Sequence, residues 1–119
     1  MSLPTRSIGP FQVSAIGLGC MNLSHGYGPP LDEDEGSRLL NLALDRGVTL
    51  LDTASLYGMG ANERLLGKAV MHRRREFILA SKCVLGAVDG ERILDGSPAA
   101  IRRGCARHRP RRARICSPG

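Results

Sequence analysis

Three short apolar runs set the strongest limit on what this chain can fold into. They occupy residues 15–21, 48–51 and 77–80, and none of them alternates polar with apolar residues. A strand with one wet face alternates, whereas a strand covered on both faces reads as a continuous apolar run. Each run is followed by a stretch with helical spacing, so the order is strand then helix, three times over. That order predicts an α/β fold with a parallel sheet and crossover helices, both sheet faces covered. The pattern alone fits the opening third of a (β/α)8 barrel and also part of an open doubly wound sheet.

The helical stretches carry their own boundaries. The first covers residues 32–46. Asp32, Glu33, Asp34 and Glu35 crowd its start, where the helix dipole favours acids. Leu39, Leu40, Ala43 and Leu44 form an apolar stripe, and Arg46-Gly47 closes it. The second runs from about Asn62 to His72, with Leu65, Leu66, Ala69 and Val70 as its inner face. The third is capped by Ser97, has Pro98 in its first position, and continues through Ala99, Ala100, Ile101 and Cys105. Ahead of the first run, Ile8, Phe11 and Val13 flank a Gly9-Pro10 turn and predict a short hairpin. Residues 24–30 and 83–96 read as loops.

Ionisable residues fall where such a fold would use them. Asp52 and Lys82 directly follow apolar runs, and Tyr57 lies in the loop after the second. The C-terminal ends of parallel strands face the functional mouth of α/β folds. Taken singly, an Asp after a strand caps a turn, a Tyr in a Gly-rich loop anchors it, and a Lys after a strand is solvated. Taken together their chemistry is complementary. A lysine cation beside a phenol favours the phenolate, and a carboxylate keeps that lysine charged and oriented. The expected result is a phenol that protonates a carbonyl oxygen while hydride arrives at the carbon. A nicotinamide has to supply that hydride, because no side chain can.

Residues 52–63, Asp52-Thr53-Ala54-Ser55-Leu56-Tyr57-Gly58-Met59-Gly60-Ala61-Asn62-Glu63, resemble the aldo-keto reductase signature DTAxxYGxGxNExLLGKAL. The match continues through Leu65-Leu66-Gly67-Lys68-Ala69. Gly17-Leu18-Gly19-Cys20-Met21 resembles the family's first barrel strand and loop. Phe77-Ile78-Leu79-Ala80-Ser81-Lys82 resembles the third strand with its lysine, and Asp95-Gly96-Ser97-Pro98 the entry to the third helix. The stretch Cys20-Met21-Asn22-Leu23-Ser24-His25-Gly26-Tyr27-Gly28 is similar to the pyridoxal reductase-like and perakine reductase-like group. The resemblance implies a (β/α)8 TIM barrel of which this chain holds about three βα units, incomplete. It implies NADPH as cofactor and an aldehyde or ketone as small-molecule substrate. Carried over by residue, Tyr57 is the proton donor, Lys82 lowers its pKa and Asp52 holds Lys82. The backbone of Gly19, Cys20 and Met21, with Asp52, lines the nicotinamide end of the pocket.

The resemblance covers roughly residues 7–105 and then breaks. Residues 1–100 hold ten basic and eleven acidic side chains; residues 101–119 hold seven arginines and no acid. The family's fourth catalytic residue, a His after the fourth strand, has no counterpart, since no apolar strand precedes His108. The expected organisation is a partial barrel over 1–105 and an aberrant, disordered basic tail over 106–119. The Arg/Pro/Ala/Gly/Cys mixture of the tail is what GC-rich codons give in a shifted frame; sequencing the gene would test that origin. On this reading the chain is a truncated, inactive oxidoreductase fragment that self-associates through an exposed sheet edge. The competing reading is a non-enzymatic remnant or binding module whose basic tail takes nucleic acid. The absence of aromatics between the arginines argues against a nucleic-acid partner.

Composition removes other classes. No stretch of about 18 apolar residues exists, which argues against a transmembrane helix. The first residues lack the apolar run of a secretory signal, so a cytoplasmic location is expected. Cys20, Cys83, Cys105 and Cys116 form no CxxC pair, which points to free thiols and no metal site.

Overall fold

The computed structural model describes residues 2–24 and 26–112, with 107–112 as backbone only; His25 and residues 113–119, Cys116 among them, lie outside the described residues. The expected hairpin forms from β1 (Thr5–Ile8) and β2 (Phe11–Ser14). Its last residue is tied to the chain just before the second apolar run. The Ser14 amide donates to Thr49 Oγ1 at 2.7 Å, and the Thr49 amide donates to Ser14 Oγ at 2.9 Å.

The three apolar runs supply β3 (Leu18–Gly19), β4 (Leu50–Asp52) and β5 (Ile78–Ala80). They pair in parallel in the order β3-β4-β5. Between them run α1 (Glu33–Asp45) and α2 (Ala61–Ala69), the second prolonged by a 3-10 stretch, Met71–Glu76. Asp32 caps α1 by accepting from the Glu35 amide at 2.8 Å, leaving the acidic first turn at the positive end of the dipole.

Both helices lie on one side of the sheet. Leu40 and Leu44 of α1 and Leu65, Leu66 and Ala69 of α2 form one core with Leu51, Leu79, Phe77 and Val70. Where the helices meet, Gly36 leaves room for Leu65: a Cβ there would stand 2.8 Å from Leu65 Cδ2, and that side chain would have to shift. Sequential strand order with helices on the same side is how a right-handed barrel winds; a doubly wound sheet shares it within one half and places the helices of its second half on the other side.

The expectation of two covered faces is corrected by the same arrangement. Successive side chains of a strand point to opposite faces. Leu51 and Leu79 are buried under the helices, while their neighbours Leu50 and Ile78 stay partly exposed and Ala80 is exposed. That second face is covered less fully than the helix side.

The stretch 83–96 is also more ordered than the loop expected for it. It forms an antiparallel hairpin, β6 (Leu85–Val88) and β7 (Glu91–Leu94). Asp89 (φ +50°) and Gly90 (φ +81°) make the turn, the Asp-Gly pair whose left-handed backbone matches the twist of a two-residue hairpin. After it, α3 (Pro98–Arg112) begins as expected, with Ser97 Oγ accepting from the Ala100 amide at 3.2 Å. The helix runs past residue 106, so it does not stop where the composition turns basic.

Because the core is one-sided, it is concentrated in few side chains. Leu66 is fully buried, whereas Leu42 on the outer side of α1 is 52 % exposed. Leu66→Ala is expected to cost about 2–5 kcal/mol of unfolding free energy. Leu42→Ala is expected to stay within about 0.5 kcal/mol of the parent. Urea unfolding of both checks this.

Candidate functional site

The parallel register builds the site before any side chain is considered. Gly19 stands beside Asp52, and Asp52 beside Ala80. All three strands therefore end at one level, and the residues that follow them share one mouth. Further backbone bonds extend the order beyond the strands. The Cys20 amide donates to Asp52 O at 2.8 Å, and the Thr53 amide to Ala80 O at 2.9 Å. The Ser55 amide and Ser55 Oγ both donate to Lys82 O, each at 3.2 Å.

Asp52, Tyr57 and Lys82 meet at this mouth. Lys82 Nζ donates to Asp52 Oδ2 at 2.7 Å and to Thr53 O at 3.1 Å. The same ammonium lies 5.3 Å from the centroid of the Tyr57 ring, within cation–π range. Partial burial on its own would push the Lys82 pKa down. The Asp52 carboxylate and the Tyr57 phenol bonded to Lys82 outweigh it and hold the pKa above the ordinary lysine value. Lys82 is thus a charged group at neutral pH, fixed at one end of a phenol. Its side chain is about half exposed, so water reaches the pair and screens it.

The Tyr57 loop is made by an unusual backbone. Gly58 (φ +57°), Met59 (φ +53°) and Gly60 (φ +90°) are three left-handed residues in succession. Two are glycines, for which that region is free. At Gly58 a side chain is excluded as well, since a Cβ would come within 3.1 Å of Ser24 O. This turn sends the chain from Tyr57 directly into α2.

On the opposite side of Asp52 stand Gly19, Cys20 and Met21. A Cβ on Gly19 would meet nothing within 4 Å, so the backbone beside Asp52 faces open space that a flat ring can enter. Cys20 offers only backbone there. Its thiol is buried and held to Leu18 O at 3.6 Å, and burial pushes its pKa up to about 12. Met21 opens a 3-10 turn, Met21–Leu23, that leads the chain away from the sheet. The backbone at Gly19, beside Asp52, would leave room for a flat ring such as a nicotinamide.

The three side chains singled out from the sequence lie together at this mouth, but the sequence reading gave no role to the residues that hold them. Thr53, Asn62, Glu63 and Ser81 link the mouth from below and are all at least partly buried. The signal was available: two buried polar residues, Asn62-Glu63, open a helix whose inner face is otherwise apolar. Cys20, Cys83 and Cys105 are free thiols. Among the described residues no cluster of three or more His, Cys, Asp or Glu could hold a metal ion, and no helix is long and apolar enough to cross a membrane.

Known proteins are similar to this chain in sequence and fold. The sequence model of the aldo/keto reductase family matches residues 15–113. The probable aldo-keto reductase 1 of Glycine max is 39% identical over 97 residues, covering 80% of this chain and 28% of that protein. The NADP(+) aldo-keto reductase yakc of Schizosaccharomyces pombe is 45% identical over 84 residues, covering 69% of this chain and 24% of that protein. The chain thus spans about a quarter of the length of these curated relatives. Among solved structures, the holo form of aldo-keto reductase AKR11C1 from Bacillus halodurans superposes with a TM-score of 0.81 at 34% identity. That match covers 92% of this chain and 36% of the other.

The raised Lys82 pKa has a sign that can be measured. A group whose pKa is higher in the folded state adds stability that is present below its unfolded value, 10.5, and is lost as pH rises through the folded value. The parent chain is expected to be more stable than Asp52→Asn at neutral pH. That difference should shrink above pH 10.5, as read by urea unfolding of both across the range. A separate check is alkylation: iodoacetamide should label exposed Cys105 readily and leave Cys20 unmodified until the chain unfolds.

Proposed function

This chain belongs to the aldo/keto reductase family, and from that premise we propose that its strand ends form the proton-donating side of an NADPH-dependent carbonyl reductase. The observation that carries the reading is the single ammonium of Lys82, which reaches both Asp52 and Tyr57. The NADP(+) in the name of the yeast relative supports the choice of cofactor.

Each residue has a derivable part. An aldehyde or ketone enters the mouth with its oxygen toward the Tyr57 hydroxyl. NADPH, when bound, supplies hydride to the carbonyl carbon. Tyr57 donates its proton to the carbonyl oxygen as negative charge develops there. The Lys82 cation stabilises the charge left on the phenol oxygen, acting through a fixed, preorganised contact. Asp52 keeps Lys82 ionised and aimed, and Thr53 O accepts a second hydrogen bond from its ammonium. The backbone of Gly19, Cys20 and Met21 receives the nicotinamide face.

The 119 residues alone do not complete a barrel mouth. Three strands leave Leu50 and Ile78 partly exposed and β5 on an open edge. On its own the chain self-associates through that edge and gives little or no turnover. The free thiols accord with a reducing compartment such as the cytoplasm.

The test is NADPH oxidation at 340 nm with an aldehyde and ketone panel, on the protein as its source expresses it. Tyr57→Phe is expected to lower kcat by about 100-fold or more, with NADPH fluorescence quenching retained. Undiminished turnover in Tyr57→Phe would contradict the assignment.

A further inference from the structure

We propose that Asn62, with Glu63 beside it, is a positioning residue that fixes the mutual placement of Asp52, Lys82 and the Gly19–Met21 backbone. Both side chains are fully buried, and they open α2 directly after the Tyr57 loop. Asn62 bonds across three elements. Its Nδ2 donates to Cys20 O at 2.7 Å and to Ser24 Oγ at 3.1 Å, while its Oδ1 accepts from Thr53 Oγ1 at 2.6 Å. Glu63 Oε1 accepts from Ser81 Oγ at 3.0 Å.

The anchors are not scattered. Cys20 belongs to the backbone assigned to the nicotinamide, Thr53 follows Asp52, and Ser81 precedes Lys82. Thr53 also accepts from Lys82 Nζ through its carbonyl, so the link from Asn62 to the lysine passes through a single residue. Each strand end that carries a functional group is therefore pinned to the same helical turn by a buried polar bond. Buried side-chain amides are costly to leave unsatisfied and have strongly directional partners. Two such residues in succession hold distances that apolar packing leaves slack. A generic stabiliser could sit anywhere in the helix; these two bond Cys20, Thr53 and Ser81, which are site residues or their immediate neighbours.

The inference rests on reading Asp52, Tyr57 and Lys82 as the proton-donating site, and the test separates the two. The readout is competitive acetylation of Lys82 with acetic anhydride across pH, quantified by peptide mass spectrometry, with Lys68 as internal reference. The contacts of Lys82 raise its pKa, so its labelling midpoint reports whether Asp52 and Thr53 are still in place. The variants are Asn62→Ala and the near-isosteric Thr53→Val, which removes only the hydroxyl donated to Asn62. Asn41→Ala is the control, because Asn41 bonds Ser37 O and Ala69 O at the far end of the helices.

The Lys82 midpoint is expected to fall toward that of an ordinary lysine in Asn62→Ala and Thr53→Val, and to stay put in Asn41→Ala. Reductase kcat, measured on the protein as its source expresses it, is expected to fall on the order of tenfold in the first two, with KM for the carbonyl unchanged. If Asn62→Ala does not fold, Thr53→Val decides alone. An unmoved midpoint in the folded variants overturns the proposal. A moved midpoint in a protein with no reductase activity upholds the clamp and overturns the functional reading instead.

Discussion

Parallel pairing of three very short strands is the constraint on which the rest depends. β3, β4 and β5 contribute only two or three residues each, yet their register alone sets Gly19, Asp52 and Ala80 side by side. Antiparallel pairing would send alternate strand ends to opposite edges and separate Asp52 from Lys82. In a parallel sheet every strand ends on the same edge, and whatever follows each strand is brought together. The crossover helices that make parallel pairing possible are also what the core is built from. Fold and site thus share one cause.

The strands are too short to hold that register by their own hydrogen bonds. Two kinds of burial hold it for them. On the helix side, Leu51 and Leu79 are locked under Leu40, Leu44 and Leu66, which sets the strands' rotation. At the mouth, the buried polar turn at the start of α2 pins the residues that come after the strands. The pair formed by Lys82 and Asp52 is about half exposed, so it adds little to stability.

Much of this was legible in the sequence for physical reasons. Unalternating apolar runs between amphipathic stretches can bury their surface in few ways, so the α/β class followed from residues 15–80. The choice between barrel and doubly wound sheet did not, because it depends on which side the helices take, and a side is invisible to a one-dimensional pattern. Asp52, Tyr57 and Lys82 were readable because they directly follow or shortly succeed strands. Asn62 and Glu63 were not assigned a role, since their meaning lies in partners 9 to 42 residues away. The β6–β7 hairpin was missed although Asp89-Gly90 marks it; its flanking strands expose most of their side chains and carry no apolar alternation strong enough to stand out.

In the proposed reaction a proton from Tyr57 meets a hydride delivered beside Gly19. Isotope transfer tests that directly, on the protein as its source expresses it. The protein is supplied with NADPH deuterated at the transferable position and with an aldehyde, and the alcohol is analysed by mass spectrometry and NMR. The account predicts one deuterium on the carbinol carbon and none on the oxygen-bound position after exchange into water. An alcohol with no deuterium on that carbon, or cofactor-saturated protein that forms no alcohol from any carbonyl tried, would contradict it.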